Sequence, residues 1–318
     1  MTTSRNPGDA WVEAPDGSRY WGLFGAAGLL AHDPARGVLL QHRVGWSHFG
    51  GTWGIPGGAL HEGETPLAGA LREAGEEAGV PRGSVVPRAE HVYDVADLWR
   101  YTTVIADVAE PFEPVISDPE SLELAWVPVD EVDQLELHPG FAASWPTLRA
   151  ALGVRPVVLV DAANVVGSVP DGWWKDRRGA AEKLRGRLEA LAAAGVDADA
   201  LGLELFWWHP IIATVVEGQA RDVGAGTGAV AVFRAEASGD DEIVARAEAM
   251  VEAGLDLTVV TSDRELQGRV EALGARVRGA RWLRDQLPPA DPGASDAVTE
   301  AGMWTVTGVV AMINALWG

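Results

Sequence analysis

The sequence predicts an α/β protein with two domains, and three observations lead to this fold class. The chain has 318 residues, and because domains commonly run about 100–200 residues, two domains are expected. The first half surrounds a helical pattern with apolar, strand-like runs. The second half alternates apolar runs with helical patterns, as chains that form parallel sheets from βαβ units do.

We place the domain boundary at the GVRP segment, residues 153–156, where a helical pattern ends and a fully apolar run begins. The first domain is expected over residues 1–152, the second over 153–290, and a linker with an apolar tail over 291–318. Residues up to 20 form a polar lead-in to the first domain. Its strands are expected at 21–33, 37–45, 101–108 and 122–129, and its helices at 66–78 and 139–152.

The second domain opens with the apolar run VVLV at 157–160, which is typical of a central strand in a parallel sheet. Later segments alternate between strand-like and helical patterns. Further strands are expected at 213–218, 229–233, 257–263 and 275–279, and helices at 177–194, 241–253 and 264–273.

The composition narrows the classes of function. A net charge of −21 repels duplex phosphates, so duplex DNA is not an expected partner. The absence of cysteine excludes disulfides, thiolate catalysis and cysteine zinc sites, and it fits a reducing compartment. The first residues lack the basic and apolar segments of a secretory signal, so we expect a cytoplasmic location.

The tail AGMWTVTGVVAMINALWG, residues 301–318, is apolar on all sides. It is shorter than the roughly 20 residues that a membrane span needs, and no basic segment flanks it. We expect a docking helix and no membrane, with a membrane or partner anchor as the alternative. The sequence does not encode an oligomeric state.

Three carboxylates crowd the first predicted helix. Glu73, Glu76 and Glu77 stand at positions i, i+3 and i+4, and they therefore share one face of the helix. A solvated acidic face is the simplest interpretation of such a triplet, although like charges at this spacing destabilise a bare helix. A bound hard cation would offset that repulsion, since Mg²⁺ prefers carboxylate oxygens and shares its shell with substrate phosphates.

The stretch GALHEGETPLAGALREAGEEAGV, residues 58–80, resembles the box of the Nudix hydrolases without a mismatch. The resemblance extends over residues 20–150. It implies an α/β/α sandwich with a mixed sheet. It also implies hydrolysis of a diphosphate linked to a nucleoside, with Mg²⁺ as the cofactor and Mn²⁺ as the alternative.

The resemblance also implies roles for individual residues of the box. Glu76 and Glu77 match the metal ligands, and Glu73 matches a position that is either a ligand or the general base. Gly58 matches a carbonyl ligand of the same metal. Two further residues match a pair that braces the loop before the helix, Glu64 and Arg72.

The substrate is encoded less directly. The box is not accompanied by a motif that marks a NADH or ADP-ribose pyrophosphatase. It is most similar to the MutT-type group, which acts on nucleoside triphosphates and oxidised purine nucleotides such as 8-oxo-dGTP. Arg43 could contact phosphates. Glu123, in the strand SLELAWV, is a candidate for a base or ligand, or else a surface carboxylate. Four aromatic side chains before the box could stack on a base or belong to the core, namely Trp46, His48, Phe49 and Trp53.

The second half carries acidic residues where its predicted strands end. Asp161, with Asn164, follows the first strand, the pair Asp240 and Asp241 opens a helix, and Asp263 follows a later strand. Because the carboxyl ends of parallel strands meet at one crevice, these side chains are expected to converge. A gathered set would repel unless a cation joins it, and a two-metal site for phosphodiester cleavage is one outcome. Helix capping is the alternative.

Residues 156–287 resemble the PIN-like NYN ribonuclease domains. The matching segments, in the family's order, are VVLVDAANVVGS, VVEGQAR, SGDDEIV and TVVTSDRELQGRVEALGA. The resemblance implies a parallel sheet and RNA as a partner. It also implies a metal site at Asp161, Asn164, Asp241 and Asp263, with Asp240 as the alternative to Asp241. Glu217 departs from the family, where Asp is common, and the net negative charge disfavours RNA. A local basic rim could still come from Arg177, Arg178, Arg221 and Arg264.

These features leave three functional hypotheses. The first is a Nudix pyrophosphohydrolase joined to a nuclease. The second is a nucleotide-sensing Nudix module that regulates the second domain, although the intact carboxylate triplet argues against a pure sensor. The third is an interaction scaffold whose second half is inert.

Overall fold

The computed structural model describes residues 8–170, 172–224 and 229–288. The apolar tail discussed above lies outside the described residues. Backbone contacts divide the chain into two compact units. Unit 1 contains the residues up to 153 together with 204–207, and unit 2 contains 154–203 and the residues from 208 onward. No helix in the described ranges is long and apolar enough to cross a membrane.

Unit 1 contains nine strands and two α-helices before residue 153. The strands are β1 (Trp11–Glu13), β2 (Arg19–Trp21), β3 (Ala26–Asp33), β4 (Gly37–Arg43), β5 (Trp53–Gly54), β6 (Gly57–Ala59), β7 (Val85–Val95), β8 (Trp99–Val108) and β9 (Ser121–Val127). The helices are α1 (Pro66–Ala78) and α2 (Pro139–Ala151).

The main sheet of unit 1 is mixed, as the resemblance predicted. Its strands lie in the order β7-β8-β3-β4-β5, with β6 also paired to β3 and β9 also paired to β4. The pairing of β3 with β8 is parallel, and the pairings of β3 with β6, β4 with β9 and β7 with β8 are antiparallel. Strands β1 and β2 form a separate antiparallel pair in the segment expected to be a polar lead-in.

Helix α1 has the bounds expected from its sequence pattern, because local signals define both ends. The Thr65 side chain accepts a hydrogen bond from the Ala68 amide at 3.2 Å, and Pro66 occupies the first turn. Gly79 ends the helix in the left-handed conformation with φ 64°. The buried face is small, with Ala70 and Ala74 packed into the core beneath β3, which lets the helix lie close to the sheet.

Strand β7 was not expected from the sequence. Its residues 85–95 include charged side chains that are buried, so the alternation of polar and apolar residues is lost. Arg88 is buried and donates to the Leu152 carbonyl at 3.1 Å, with Asp107 3.4 Å away. A register shift between Pro87 and Ala89 breaks the period of two as well.

Unit 2 is built around a five-stranded parallel sheet. The elements from residue 154 onward are β10 (Pro156–Asp161), α3 (Ala162–Gly167), α4 (Arg177–Ala194), β11 (Val196–Asp197), α5 (Ala198–Leu201), β12 (Trp207–Trp208), β13 (Ile211–Val216), β14 (Val230–Arg234), α6 (Gly239–Glu252), β15 (Asp256–Val260), α7 (Arg264–Glu271), β16 (Arg276–Arg278) and α8 (Ala280–Gln286).

The sheet order β14-β13-β10-β15-β16 places the first strand of the unit at the centre. All four pairings are parallel, as the alternation of strands and helices predicted. Every residue of β10 is buried, which explains its unbroken apolar run. The chain leaves β10 first to one side and later to the other, so a crevice opens at the carboxyl end of this strand.

Candidate functional sites

The loop between β6 and α1 brings backbone and carboxylates together. Strand β6 pairs with β3, and the chain then turns back so that α1 lies beside it. A Cβ atom at Gly58 would come within 2.6 Å of the Glu73 carboxyl carbon, so only glycine permits this approach. The Gly57 amide donates to Glu77 Oε2 at 3.0 Å.

Arg72 holds the loop to the helix. Its Nε and one Nη donate to the two oxygens of Glu64 at 2.9 and 2.8 Å, which is a bidentate ion pair. The same Nη donates to the Ala59 carbonyl at 3.0 Å, and the other Nη donates to Glu73 Oε1 at 2.6 Å. Because Glu64 also accepts from the His61 amide at 2.9 Å, the guanidinium fixes both ends of this loop.

The three box carboxylates differ in exposure. The Glu76 side chain is 64% exposed and lies 3.6 Å from Arg72. The Glu73 side chain is mostly buried, and the Glu77 residue is only 8% exposed. Burial raises the pKa of Glu77 to about 8 against the hydrogen bond from Gly57, and the charges of Glu73 and Asp118 raise it further. Burial also raises the pKa of Glu73, although Arg72 opposes this.

Two carboxylates that sequence reasoning missed complete the group. One oxygen each from Glu77, Asp118 and Glu120 lie within 4.8 Å of one another. The segment after β8 brings them there, because the Val115 amide donates to the Ala78 carbonyl at 3.0 Å and the Ser117 amide to the Glu77 carbonyl at 3.3 Å. Three carboxylate oxygens so close together are a donor set that suits a hard divalent cation.

Glu123 is not a member of this group. It is an exposed residue of β9 and pairs with His42 of β4. The acidic signal in the sequence SDPES, residues 117–121, could have drawn attention to Asp118 and Glu120. The segment has no periodic pattern, however, and only its bonds to the end of α1 bring it to Glu77.

Two more side chains border the box carboxylates. Arg43 is half-buried, and its Nε has no hydrogen-bond partner among the described residues. Its charge lowers the pKa of Glu77, so it lies within electrostatic reach of that carboxylate. The Tyr101 hydroxyl is buried against Gly28 and Gly57, and burial, followed by the charge of Glu77, raises its pKa.

Unit 2 contains a cavity of about 180 Å³ at the carboxyl end of its central strand. The polar side chains that line it come from the ends of β10 and β13, from α3, from the start of α6 and from the loop after β15. They are Asp161, Asn164, Glu217, Asp240 and Asp263. The cavity lies at the crevice that the strand order creates.

Hydrogen bonds fix most of these side chains. Asp161 accepts from the Asn164 amide at 3.0 Å and from the Thr261 hydroxyl at 2.9 Å. The Asn164 side-chain carbonyl accepts from the Ser262 amide at 2.9 Å, which joins the ends of β10 and β15. Asp161 and Asp263 also cap α3 and α7, so capping and convergence occur together.

The structure separates the two neighbouring aspartates of α6. Asp240 lines the cavity, whereas Asp241 is exposed and forms an ion pair with Arg269 at 2.7 Å. Glu217, which departs from the NYN pattern, also lines the cavity and accepts from the Gly239 amide at 2.9 Å. Burial raises the pKa of Asp240, and the charges of Asp263 and Glu217 raise it further.

The four arginines expected to form a basic rim do not share one environment. Arg178 pairs with Glu182 at 3.0 Å, and Arg177 lies over the Trp173 ring. The Arg221 guanidinium donates to the carbonyls of Gly218 and Glu236. None of the four is among the residues that line the cavity.

Comparison with known proteins places the first half of the chain in a family. The family described as NUDIX domain matches residues 23–149. A protein of Mycobacterium tuberculosis named "Putative 8-oxo-dGTP diphosphatase 3" is 49% identical over 166 residues, which cover 49% of this chain and 76% of that protein. The resemblance of residues 156–287 to NYN domains lies beyond the family match and stays a prediction.

Two further relatives match a similar share of the chain. A "Nucleoside triphosphate pyrophosphatase/Nudix hydrolase fusion protein" of Bifidobacterium longum is 42% identical over 154 residues, covering 46% of this chain and 32% of that protein. The crystal structure of RenU, a Nudix hydrolase from M. smegmatis, is 50% identical, covers 46% of this chain and 95% of that chain, and superposes with a TM-score of 0.42.

Proposed function

Since this chain belongs to the Nudix hydrolase family, we propose that unit 1 hydrolyses a phosphoric anhydride bond in an oxidised purine nucleoside triphosphate, of which 8-oxo-dGTP is the type. The observation that carries the proposal is the convergence of Glu77, Asp118 and Glu120 beside the Arg72-braced box. The names of the M. tuberculosis and B. longum relatives support the nucleotide class.

A divalent metal fits the group of three carboxylates. Glu77, Asp118 and Glu120 would hold Mg²⁺, or Mn²⁺ in its place, and Glu76 and the Gly58 carbonyl are further candidate ligands. The metal when bound would neutralise phosphate charge and polarise a phosphoryl oxygen. Among the described residues no cationic side chain forms an ion pair with Glu77, so a metal is the group that would offset the repulsion among these carboxylates.

The remaining side chains would position the substrate and accept a proton. Arg43, whose charge reaches Glu77, would donate to the phosphates. Glu73 lies outside the three-carboxylate group, and its Oε1 is held by Arg72. Its Oε2 is therefore the atom that we assign to accept the proton of the attacking water. Glu64 and Arg72 would hold Glu73 in place without contacting the substrate.

A panel of nucleoside triphosphates and nucleoside diphosphate derivatives tests this function, with release of phosphate and pyrophosphate as the readouts in the presence of Mg²⁺. We expect hydrolysis of the oxidised purine nucleotides and loss of at least 100-fold in kcat for Glu77→Gln, on the scale of removing a charge-stabilising group. Glu123→Gln is the matched control, because it makes the same change on an exposed strand residue outside the group. Equal loss in both variants would contradict the assignment.

The alternative is a nucleotide-sensing unit. It predicts tight binding of a nucleotide by the wild type and no turnover at any metal concentration. Measuring the Kd beside the turnover in the same panel separates the two, because an enzyme also turns the bound nucleotide over.

A second candidate function applies to unit 2. We propose that the cavity at the end of β10 is a divalent metal site for hydrolysis of single-stranded RNA, as the NYN resemblance implies. The supporting observation is that Asp161, Glu217, Asp240 and Asp263 line one cavity. Burial, followed by the charges of neighbouring carboxylates, raises the pKa values of Asp161 and Asp240, and a cation would relieve that repulsion.

Cleavage of a labelled single-stranded RNA in Mn²⁺ tests this second function. We expect activity in the wild type and its loss in Asp161→Asn. Asp241→Asn is the matched control, since that carboxylate pairs with Arg269 and lies outside the cavity-lining set. An RNA that stays intact with the wild type would support an inert unit that acts as a scaffold.

A further inference from the structure

A row of aromatic rings runs along unit 1 from the β1–β2 pair to the start of α2. The ring centroids of Trp21 and Trp11 are 5.1 Å apart, and those of Trp11 and His48 are 5.5 Å apart. The row continues from His48 to Phe49 at 4.2 Å and from Phe49 to His138 at 4.9 Å. We call these five residues the aromatic row. They come from three separate segments of the chain, which the fold brings together.

Phe49 is the unusual member of the row. Its residue is 46% exposed, although phenylalanine is among the side chains that are most favoured in a core. Its φ is +54°, in the left-handed region that a bulky residue rarely adopts. An exposed ring held at an unfavourable backbone angle is typical of a functional position.

The loop that carries Phe49 is closed and tied down. The Arg43 amide donates to the Thr52 carbonyl at 3.0 Å, and the Gly51 amide donates back to the Arg43 carbonyl at 2.9 Å. The Thr52 hydroxyl donates to the Phe49 carbonyl at 2.6 Å. These bonds fix the loop before any ligand arrives, so little ordering entropy would be lost on binding.

Arg43 joins the row to the carboxylate group. The backbone of Arg43 forms the base of the Phe49 loop. Its charge affects two histidines of the aromatic row and also Glu77 of the carboxylate group. The positive charge lowers the pKa values of His48 and His138, in addition to burial, and it also lowers that of Glu77. Arg43 therefore links the two groups by its backbone, which closes the Phe49 loop, and by its charge, which reaches Glu77.

From these contacts we propose that the aromatic row is the base-binding platform of unit 1, and that the nucleobase stacks on Phe49 while Arg43 contacts the phosphates. This inference rests on the proposed nucleotide hydrolase function. A purine nucleotide offers the flat face of its base for the Phe49 ring and anionic phosphates for the guanidinium, so one ligand satisfies both ends of the site.

His138 adds a polar contact beside the stacked base. Its Nδ1 accepts from the Gly140 amide at 3.2 Å, so in the neutral ring the proton is on Nε2. Burial lowers the pKa of His138 to about 4, which keeps the ring neutral near pH 7. The Nε2–H group would then donate to a carbonyl oxygen of the base.

Phe49→Gly tests the platform without endangering the fold, since glycine tolerates a φ of +54°. The matched control is Phe206→Gly. Phe206 is 51% exposed, and its amide donates to the Glu90 carbonyl of β7, so it lies at the opposite edge of the sheet from β5. KM and kcat would be measured for the preferred nucleotide and for a base-free substrate, inorganic triphosphate, and the Kd for a non-hydrolysable analogue of that nucleotide.

We expect Phe49→Gly to raise the KM and the Kd for the nucleotide by about 5- to 100-fold, the scale of a lost base stack. Its kcat and its rate on inorganic triphosphate should stay near those of the wild type, and Phe49→Tyr should restore the KM. A Phe49→Gly protein with unchanged KM and Kd on the nucleotide overturns the platform and leaves the hydrolase function standing. A wild type that hydrolyses no nucleotide overturns the proposed function instead.

Discussion

Replacing Glu77 by glutamine should make the metal-free protein more stable while abolishing its activity. The carboxylate is buried, forms no ion pair with a cationic side chain in the part of the chain that the structure describes, and faces the charges of Glu73 and Asp118. Glutamine has nearly the same shape and can still accept from the Gly57 amide, which donates at 3.0 Å in the wild type. The substitution therefore removes an uncompensated charge and keeps the hydrogen bond.

The magnitude follows from the pKa of about 8 in the folded protein against an ordinary value of 4.5. The folded state holds this proton more tightly than the unfolded state, so the wild type loses stability as pH rises from 4.5 to 8. Each pH unit in that window costs about 1.4 kcal/mol. At pH 7 the difference amounts to about 3 kcal/mol in favour of Glu77→Gln.

Urea unfolding in the presence of a chelator measures this difference, with amide exchange in α1 assigning the transition to unit 1. The wild type should converge with Glu77→Gln below pH 4.5, and the two should separate as the pH rises. Added Mg²⁺ should stabilise the wild type by mass action and leave the variant nearly unchanged. If Glu77→Gln were no more stable than the wild type at pH 7, the ionised Glu77 side chain would not destabilise the folded protein, and the prediction would be refuted.

Three other substitutions have defined outcomes. Arg72→Lys should cost about 2–4 kcal/mol in the free energy of unfolding, because lysine cannot make the bidentate contact with Glu64. An Arg72→Lys protein that is as stable as the wild type in urea unfolding would argue against the brace. Gly28→Ala should cost about 1–3 kcal/mol because its methyl group meets the Tyr101 hydroxyl, and Tyr101→Phe in the same chain should recover part of it. His209, whose pKa burial lowers to about 4, should make the wild type lose roughly 3 kcal/mol as pH falls from 6.5 to 4, and His209→Phe should remove that slope in pH-dependent unfolding.

The sequence predicted the box and its helix well because their signals are local. The spacing of the carboxylates, the Thr65 cap and the Gly79 terminus all lie within one short segment. Asp118 and Glu120 could not be found in the same way. Their segment has no period, and its place is set by hydrogen bonds to the last residues of α1.

In unit 2 the sequence predicted a parallel sheet and a convergence of strand ends, but the resemblance put Asp241 ahead of Asp240 at the second acidic position, whereas Asp240 lines the cavity. Consecutive helical residues point about 100° apart, so only the orientation of α6 decides which one enters the cavity. Glu217 reaches the cavity because it directly follows β13 in an extended conformation. Neither the orientation of α6 nor the direction of Glu217 can be predicted from a local sequence pattern.

The parallel pairing of β3 with β8 has a consequence for how unit 1 acquires its site. Ala26 aligns with Tyr101, about 75 residues later in the chain. Contacts at such long separation are formed late and slow the folding of a domain. Strand β6, whose glycines approach the box carboxylates, pairs with the same β3. A ribosome-bound chain that has emerged only as far as α1 would therefore carry the whole box and yet have no assembled site, because β8 and the Asp118 segment are still to come.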